Sequence, residues 1–576
     1  MAAYVTRLMS APEQSGADVS APLELDETPD LQGAFPRLGA EQLELLSGLG
    51  SQREVQAGDV LYREGDGSCD FFVILSGKVA IVEEIEGPHE RVVSVHGPGR
   101  FLGEISLLTG QAVFFSAVVR EPGTVLQIPV DRLREIVAED AALGDVILRA
   151  FVRRRAFHIG AGAGFRIIGS RFSPDTRRLR EFAARNRLPH HFIDLAEDPG
   201  AAALLRELGV APQDAPVVVL RGQEVLRKPS NAELAREIGL LSAQPNGDTC
   251  DVLVIGAGPA GLAASVYGAS EGYETLTFDG VSTGGQAGTS SRIENYVGFP
   301  AGISGSELAE RAEIQAEKFG AQISVPAEAT GIEPCEDGSY VVQFGDAGPA
   351  RARTVVIATG ARYRRLEIPR LEDFEGVSVH YAATQTEATL CASDPIVIVG
   401  GGNSAGQATL FLAEFAAQVR LVVREPDLGA HMSHYLSDRI QRLSNVEVLL
   451  STEVRELVGA RTLEAVVVEN NQTHERSTLP ARAMFVFIGA SPHTGWLGGQ
   501  IALDDNGYVL TGHDLTERHP GLEHVPLMLE TSCPGVFAAG DVRSGSIKRV
   551  ATAVGEGSMA VRLVYEYLER MRQLQA

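Results

Sequence analysis

Two stretches of this 576-residue chain repeat one pattern: a short apolar strand, a turn rich in glycine, and a helix. The first stretch has the sequence VLVIGAGPAGLAASVY, and the second, further along, has the sequence IVIVGGGNSAGQATLF. A buried strand that turns sharply into a helix needs glycine, because the backbone there adopts conformations that a side chain hinders. The pattern therefore predicts two Rossmann-like α/β domains, each with a nucleotide-binding turn.

The three glycines of the first stretch have separate predicted roles. Gly256 permits the tight turn, Gly258 lets a pyrophosphate approach the backbone, and Gly261 lets the helix pack on the strand. The helix N-terminus then faces the phosphates. Asp279 ends the next strand, about twenty residues on, and can accept a hydrogen bond from a ribose hydroxyl. The contacts predicted for this stretch are Gly256, Gly258, Pro259, Ala260, Gly261 and Asp279.

Four further segments make residues 248–568 resemble a low-molecular-weight thioredoxin reductase: GGQAGTSSRIENYVGFP, TVVIATGA, GVFAAGDVR and IKRVATAVGEGSMAV. The resemblance implies that FAD binds the first glycine unit and that an inserted second domain binds NADPH or NADH. It assigns FAD contacts to Gly285, Gln286, Asn295, Ala358, Thr359, Gly360, Gly540, Asp541, Arg549, Val550 and Ala551. It assigns contacts with the nicotinamide nucleotide to Gly400, Gly402, Asn403, Ser404, Ala405, Arg424, Ile488 and Gly489.

The chain departs from this family at the dithiol. The family carries Cys-x-x-Cys just before the second nucleotide strand, and here Ala382 and Gln385 occupy those positions, with one residue of ambiguity. Cys391 is near in sequence but has no partner cysteine in the turn. No relay from flavin to dithiol can be written by the family mechanism.

The adenosine end of the second nucleotide site also departs from the family. The family has His-Arg-Arg after the second strand of this domain, whereas Arg424 here follows Val423 and precedes Glu425. Arg424 can pair with a 2′-phosphate, but a neighbouring carboxylate repels one. Both NADPH and NADH remain open, with NADPH favoured by the resemblance.

Residues 31–158 show short alternating strands separated by glycine, followed by a helix predicted over residues 131–157. The segment FLGEISLLTG followed by FFSAVV resembles the cyclic-nucleotide-binding domain, in which Gly103 and Glu104 would open the phosphate cassette. The family's phosphate-binding arginine is replaced by Phe115, and an aromatic ring cannot replace a guanidinium. The barrel is therefore either a structural module or a weakened site for cAMP or cGMP, and the missing cation favours the first.

Residues 165–241 have a predicted βαβαββα order that resembles the thioredoxin or glutaredoxin fold, including Pro216 at the family's cis-proline position. The redox motif of that fold belongs at the first strand-to-helix turn. Ser173 and Thr176 stand there, so no disulfide can form. Ser173 is instead predicted to cap the helix, with Pro174 as its first residue.

The predicted fold class is a multidomain α/β and β protein with a β-roll, a thioredoxin-like module and two Rossmann-like domains. The predicted segments are a flexible arm (1–30), the β-roll (31–158), the thioredoxin-like module (165–241), a linker (242–250), the FAD domain (251–368 and 489–576) and the NAD(P) domain (369–488). The net charge of -25 argues against nucleic-acid or anionic-membrane partners. Five scattered cysteines and the lack of a signal peptide or an apolar run of membrane length predict a cytoplasmic protein.

The function predicted from these features is hydride transfer from C4 of NAD(P)H to N5 of FAD, and then reduction of an external acceptor. The cofactor supplies the chemistry, so no catalytic side chain and no metal site are assigned. Relatives without the dithiol resemble ferredoxin- or flavodoxin-NADP reductases, which favours a one-electron carrier, while quinones and oxygen remain possible acceptors. Two alternatives stay open: a thioredoxin-disulfide reductase that uses another thiol, and a flavin-based redox sensor. The family resemblance implies a homodimer.

Overall fold

The structure is a computed structural model that describes residues 26–67, 69–87, 90–104, 106–222, 224–241, 248–290, 292–375, 377–383, 385–460, 462–518 and 525–575. The chain divides into an N-terminal unit, residues 1–243 with 317–327, and a C-terminal unit, residues 244–316 with 328–576. The sequence assigned residues 317–327 to the FAD domain, but in the structure they group with the N-terminal unit. The predicted linker lies mostly outside the described residues.

Eight strands form the first part of the N-terminal unit: β1 (Ser51–Val55), β2 (Val60–Tyr62), β3 (Phe71–Ile74), β4 (Lys78–Glu83), β5 (Arg91–His96), β6 (Phe101–Leu102), β7 (Ser116–Glu121) and β8 (Gly123–Ile128). They pair in two sheets, with the orders β1-β8-β3-β6 and β2-β7-β4-β5. Four helices accompany them: α1 (Ala40–Ser47), α2 (Ser106–Thr109), α3 (Val130–Glu139) and α4 (Ala141–Gly160). We call these elements the barrel. Phe71, Phe101 and Phe151 pack together in its interior.

Asp140 divides the single helix predicted over residues 131–157 into α3 and α4. Its backbone is extended, at φ -99° and ψ 98°, and its carboxylate accepts hydrogen bonds from the backbone N–H groups of Ala142 and Leu143. An aspartate that caps the next helix satisfies two backbone donors, so the break is stabilised locally. The apolar periodicity continues across the break, which is why the pattern alone did not show it.

Residues 26–30 do not behave as the flexible arm that the sequence predicted. Thr28 is 3% exposed, donates its backbone N–H to the Val95 carbonyl at 3.0 Å, and accepts the Val95 N–H on its hydroxyl at 2.9 Å. Asp30 accepts the backbone N–H of Phe35 at 2.8 Å. The two Thr28 contacts fasten the segment to β5. The remainder of the predicted arm, residues 1–25, lies outside the described residues.

An α/β module follows the barrel: β9 (Phe165–Gly169), α5 (Pro174–Arg185), β10 (His190–Asp194), α6 (Ala201–Glu207), β11 (Val217–Leu220), β12 (Glu224–Arg227) and α7 (Asn231–Glu237). The strand order is β10-β9-β11-β12, with β9 parallel to β10 and antiparallel to β11. The predicted element order and the Ser173 cap are confirmed, since the Ser173 hydroxyl accepts the Thr176 N–H at 3.5 Å. The Ala215–Pro216 peptide is cis.

The barrel and the α/β module share one hydrophobic core. Buried side chains of both, among them Phe114, Phe115, Phe165 and Ile167, belong to a single packed cluster. Polar contacts join the same two parts, because Arg166 pairs with Glu84 at 2.9 Å while both side chains are about 15% exposed. The two modules that the sequence separated therefore form one packed body.

The C-terminal unit contains a sheet of β13 (Cys250–Ile255), β14 (Thr275–Phe278), β16 (Ala329–Pro334), β17 (Tyr340–Phe344), β18 (Gly348–Ile357) and β29 (Val536–Ala538), in the order β14-β13-β18-β17-β16 with β29 beside β18. Its helices are α8 (Pro259–Ser270), α9 (Gly285–Gly288), α10 (Gly305–Lys318), α11 (Leu371–Phe374), α15 (Gly512–Arg518) and α16 (Val550–Gln575). Strand β15 (Gln322–Ser324) falls in the segment grouped with the N-terminal unit. Because β13, β14, β18 and β29 are mutually parallel, their carboxyl ends meet at one edge.

A second sheet in the same unit is parallel throughout: β20 (Val379–His380), β27 (Ala483–Val486), β21 (Pro395–Val399), β22 (Gln418–Val422) and β23 (Val446–Leu449), in that order. Helices α12 (Gln385–Leu390), α13 (Asn403–Leu412) and α14 (His434–Ile440) accompany it. An antiparallel sheet of β24 (Thr452–Gly459), β25 (Leu463–Asn470) and β26 (Arg476–Pro480) and the pair β19 (Ala361–Tyr363) and β28 (Ala490–Pro492) complete the unit. No helix among the described residues is long and apolar enough to cross a bilayer.

Candidate nucleotide-binding sites

The turn between β13 and α8 requires glycine for reasons internal to the protein. Gly256 has φ +105°, and a Cβ on it would lie 2.3 Å from the Ala358 carbonyl oxygen. A Cβ on Gly261 would lie 1.7 Å from the Gly256 carbonyl oxygen. Both contacts are too short for any side chain, so these two positions hold the strand, the turn and the helix together.

Gly258 differs from these two glycines because space remains above it. It is the N-cap of α8, with an ordinary φ of -72°, and the nearest atom to a Cβ there is the Gly285 Cα at 4.0 Å. Pro259 and Ala260 follow as the first residues of the helix. The N-terminus of α8 is thus accessible to a ligand at Gly258, the position predicted to face a pyrophosphate.

Asp279 has a role that the sequence did not reveal. One carboxylate oxygen accepts the backbone N–H of Ala257 at 2.8 Å, and the other accepts those of Val281 at 2.8 Å and Ser282 at 3.1 Å. The side chain therefore ties the end of β14 to the glycine turn. Its first oxygen keeps one further acceptor position for a ribose hydroxyl.

The short helix α9, which begins at Gly285, is anchored to the start of β19. The Gln286 side-chain amide donates to the Ala361 carbonyl. Among the predicted contacts at Ala358, Thr359 and Gly360, the Thr359 hydroxyl donates to the His493 carbonyl at 2.9 Å. Polar groups that the resemblance assigned to the flavin are thus also used to fasten the surrounding loops. Asn295 is exposed, and the structure shows no hydrogen bond from its side chain to the other described site residues.

The second FAD segment meets the first through small residues. A Cβ on Gly540 would lie 2.9 Å from the Ala260 Cβ, and a Cβ on Gly557 would lie 2.0 Å from the Ala260 carbonyl oxygen. Helix α16 therefore crosses the start of α8 at very short distance. The predicted contacts Arg549, Val550 and Ala551 stand at the N-terminal end of α16, whose N–H groups are positively polarised.

Asp541 has the properties expected of a group that receives a hydroxyl donor. Its carboxylate is partly buried, and no hydrogen bond from another described residue reaches it. Burial raises the pKa of Asp541, while Lys548 acts in the opposite direction. A partly buried acceptor beside the Gly258 turn fits the polyhydroxyl chain of a flavin nucleotide. The first site thus fits FAD in two respects. The backbone at Gly258 is open to a pyrophosphate, and the Asp541 carboxylate can accept hydrogen bonds from hydroxyl groups.

The second glycine turn is built in the same way as the first. Gly400 has φ +139°, and a Cβ there would lie 2.3 Å from the Phe487 carbonyl oxygen. Gly402 caps α13, and the Asn403 side chain accepts the Ser433 N–H at 2.7 Å, which ties α13 to the segment before α14. The other predicted residues of this turn are Ser404 and Ala405 in the first turn of α13, with Ile488 and Gly489 after β27.

Arg424 and Glu425 follow β22, beside this turn. The Arg424 guanidinium pairs with the Glu425 carboxylate at 3.2 Å; its side chain is 72% exposed, whereas that of Glu425 is 23% exposed. A Cβ placed on Gly401 would lie 3.1 Å from the second Glu425 carboxylate oxygen. The carboxylate, and not the guanidinium, lies over the glycine turn.

The cysteines give no redox pair among the described residues. All five are free. Cys391 is buried in the core of the second parallel sheet, where burial raises the pKa of its thiol to about 11. Burial likewise raises the thiol pKa to about 12 for Cys69 and Cys250, and raises that of Cys533. Thiols are nucleophilic as thiolates, so raised pKa values make these groups poor redox centres.

The barrel interior is occupied by its own side chains. Phe115 is fully buried, and its ring lies 4.3 Å from the His158 ring. The Arg154 guanidinium donates to the carbonyls of Ala34 and Gly103 at 2.8 Å and of Phe101 at 2.9 Å. A cavity of about 10 Å³ remains, which is close to the room needed for one water molecule.

Glu104 lies beside this cavity, and burial raises the pKa of its carboxyl to about 7. One carboxylate oxygen is buried without a hydrogen-bond partner among the described residues, as is Nδ1 of His96 and of His158. The predicted ribose acceptor is therefore present, and the cavity that it lines is much smaller than a nucleotide.

Comparisons with known proteins match the C-terminal unit and the barrel to two different families. Residues 250–557 match the family model of pyridine nucleotide-disulphide oxidoreductases, and residues 52–140 match that of the cyclic nucleotide-binding domain. A 34.2 kDa protein in a rubredoxin operon of Clostridium pasteurianum is 34% identical over 318 residues, which are 55% of this chain and 97% of that protein. A thioredoxin reductase of Eremothecium gossypii is 33% identical over 329 residues, 56% of this chain and 98% of its own length.

A solved structure gives the same result for the C-terminal unit. The Lactococcus lactis thioredoxin reductase in its FR conformation is 28% identical, covers 56% of this chain and 100% of its own, and superposes with a TM-score of 0.51. The residues that match the family model, 250–557, contain both nucleotide turns.

Proposed function

We propose, from the premise that this chain belongs to the pyridine nucleotide-disulphide oxidoreductase family, that it passes electrons to an external acceptor without an internal dithiol. The chain is an FAD-dependent NAD(P)H oxidoreductase of the thioredoxin reductase type, and that family uses FAD and NADPH. What we add concerns the route of the electrons after the flavin.

The observation that carries the proposal is the state of the thiols. Ala382 occupies one of the two positions at which the family has its cysteines, and the sequence contains no Cys-x-x-Cys. Cys391, the nearest thiol in sequence, is 3% exposed with a raised pKa. A disulfide relay needs two thiols within bonding distance and one accessible thiolate. No two cysteines of this chain are bonded to each other, and the thiol nearest to the expected position is buried.

The residues at the first glycine turn fit FAD. Gly258 and the start of α8 would hold the pyrophosphate, Asp279 the ribose, and Asp541 the ribityl hydroxyls. The N-terminal end of α16, from Arg549, would face the flavin ring. When bound, FAD supplies the exchange of electrons between a two-electron donor and one- or two-electron acceptors. The protein contributes binding, orientation and the exclusion of water.

A small protein that carries single electrons is the acceptor class we favour. Relatives that lack the dithiol resemble ferredoxin- or flavodoxin-NADP reductases, and one relative is named for its place in a rubredoxin operon. Quinones are the second class. Thioredoxin itself is disfavoured, because reducing its disulfide requires a thiolate on the enzyme to make the mixed disulfide.

The N-terminal unit is proposed to have a structural role in this enzyme. Phe115, Arg154 and His158 fill the barrel where a cyclic nucleotide would bind. The α/β module has the strand order of a thioredoxin fold, with Ser173 and Thr176 at its redox turn, and we propose that it is a thioredoxin-like module without redox activity.

The direct test replaces all five cysteines by serine in the full-length, FAD-loaded protein. We expect the variant to retain its flavin absorbance and to oxidise NAD(P)H with ferricyanide or a quinone at a rate within about threefold of the wild type. Serine is close to cysteine in volume, and its hydroxyl can keep the contact that the Cys250 thiol makes with the Arg351 carbonyl.

A variant that keeps FAD but loses acceptor reduction would refute the thiol-independent route. Equal rates of wild-type thioredoxin reduction and dye reduction would refute it as well. If the five-fold variant does not fold, the two partly exposed cysteines are replaced together, as Cys335→Ser with Cys533→Ser, and the buried Cys391 is replaced in a separate variant, Cys391→Ala. Loss of acceptor activity in either folded variant would contradict the proposal.

A further inference from the structure

Glu425 stands where a Rossmann-like domain distinguishes the two nicotinamide nucleotides. An acidic residue at the end of the second strand accepts from the adenosine ribose 2′-hydroxyl of NADH, whereas a nearby arginine accommodates the 2′-phosphate of NADPH. In this chain both residue types follow β22. Their geometry therefore decides which of them faces the nucleotide.

The geometry favours the carboxylate. Strands β21 and β22 are parallel neighbours, so the residues after β22 stand beside the Gly400–Gly402 turn. Of the two charged residues, Glu425 has the less exposed side chain, and one of its oxygens would lie 3.1 Å from a Cβ on Gly401. That oxygen has no hydrogen bond to a described residue, while the other accepts from Arg424.

The backbone around Glu425 is held in place. The Glu425 carbonyl accepts the Ser451 N–H at 3.0 Å, and the Arg424 carbonyl accepts the Asn471 side-chain amide at 2.9 Å. Because Glu425 is fastened to the residue before β24 and Arg424 to the residue after β25, the backbone that sets the directions of the two side chains is held in place. Arg424 cannot exchange places with Glu425 without breaking these contacts.

The local charge also opposes a 2′-phosphate. Arg424 is neutralised by Glu425, and a phosphate that took the guanidinium would leave its own negative charge beside a freed carboxylate. Like charges within a few ångströms repel, whereas a neutral ribose hydroxyl gains a charge-assisted hydrogen bond from the same carboxylate.

We propose that Glu425 is the specificity residue of the second nucleotide site and selects NADH over NADPH. The inference rests on the proposed role of that site as the electron donor's site. It sets this chain apart from the NADPH use of its family.

The test measures binding without turnover. ADP-ribose and 2′-phospho-ADP-ribose, which lack the nicotinamide ring, are titrated by calorimetry into the FAD-loaded full-length protein. We expect the wild type to bind ADP-ribose at least tenfold more tightly. Glu425→Gln removes the charge at nearly constant volume and frees Arg424, so we expect this ratio to fall at least tenfold. The matched control, Arg424→Gln, is expected to keep the preference for ADP-ribose.

Tighter wild-type binding of 2′-phospho-ADP-ribose, lost in Arg424→Gln, would overturn the inference. An unchanged ratio in Glu425→Gln, or no binding of either compound, would overturn it too. A second readout is the rate of anaerobic flavin bleaching by NADH and by NADPH, which should follow the same order. Failure of the thiol-free variant to reduce an acceptor would refute the proposed function alone, because it does not affect the binding ratio.

Discussion

Glu556, in the second turn of α16, accepts the backbone N–H of Gly540 at 2.7 Å. The same carboxylate pairs with Arg543 at 2.6 Å, and the two side chains are 12% and 17% exposed. One residue of the last helix thus fixes the turn that presents Asp541. The family resemblance identified Asp541, but it gave no indication of the residue that holds its turn.

Glu556→Ala is expected to destabilise the C-terminal unit by about 2–4 kcal/mol, since it leaves a largely buried guanidinium and a backbone donor unpaired. We also expect FAD to be lost more readily on dilution. Chemical unfolding and flavin fluorescence measure the two effects. Glu569→Ala, which breaks the exposed pair with Arg572 on the same helix, should change stability by less than about 0.5 kcal/mol. Equal effects of the two variants would contradict the assignment.

Substitutions at Gly258 and at Gly261 should have different effects, the first on FAD binding and the second on folding. Gly258→Val meets no protein atom closer than an ordinary contact at its Cβ, so the apoprotein should fold while FAD binding is lost through the blocked backbone approach. Gly261→Ala creates a contact of 1.7 Å with a carbonyl oxygen, and we expect it to prevent folding. Circular dichroism and flavin content distinguish the outcomes. Full flavin content in Gly258→Val would refute the placement of FAD.

Glu104 should make the barrel less stable as pH rises. Its pKa in the folded protein is about 7, raised from 4.5 by burial, so the folded state holds a proton that the unfolded state has released. This contribution to stability is full below about pH 4.5 and is lost as pH rises through 7. Glu104→Gln should remove that dependence and increase hydrogen-exchange protection of β3 and β6 at pH 8.

The control for this measurement is Glu135→Gln, on the exposed face of α3, which should match the wild type at both pH values. At pH 5 the Glu104→Gln variant should be close to the wild type. His158 acts in the opposite direction, because burial lowers its pKa to about 3, so its contribution is lost as pH falls from about 6.5. A Glu104→Gln variant that loses protection at pH 8 would show that the carboxylate is stabilising there.

Phe115→Arg should destabilise the barrel and should not create a cyclic-nucleotide site. The side chain is fully buried against His158, and an unpaired buried guanidinium costs about 3–5 kcal/mol. Phe115→Leu, the apolar control, should cost about 1–1.5 kcal/mol. Calorimetric titration with cAMP is expected to show no binding to the wild type or to either variant. Micromolar binding to the wild type would mean that the barrel opens in solution.

The two serine caps of the α/β module should contribute differently to its stability. Ser230 and Glu233 form a reciprocal capping box on α7, with contacts of 2.7 and 3.1 Å, whereas Ser173 accepts its N–H at 3.5 Å. Ser230→Ala should therefore cost about 1 kcal/mol, and Ser173→Ala about 0.5 kcal/mol. Urea unfolding of the two variants measures the difference. A larger loss for Ser173→Ala would assign that hydroxyl a further role.

The sequence predicted the glycine turns well because their requirement is local. At Gly256, Gly261 and Gly400 the backbone itself excludes a side chain, so the motif is visible in the letters. The same holds for Ser173, which precedes Pro174 at the start of a helix. Such features depend on residues that are neighbours along the chain.

The remaining features depend on contacts between distant residues. The bond from Glu556 to Gly540, the filling of the barrel by Arg154, and the position of Glu425 over Gly401 involve side chains from separate elements. The spacing of apolar residues along the chain does not indicate contacts between separate elements. The break at Asp140 was missed for another reason: an aspartate within an amphipathic pattern is as easily a surface residue as a cap.

The common core of the barrel and the α/β module has a consequence for any division of the chain between them. If the chain were divided between Phe157 and Phe165, each of the two parts would expose an aromatic face that the other part covers in the whole protein. Each part expressed alone is expected to expose apolar surface, although the sequence there looks like an ordinary join between domains. The barrel and the α/β module are therefore expected to fold stably only when they are expressed together.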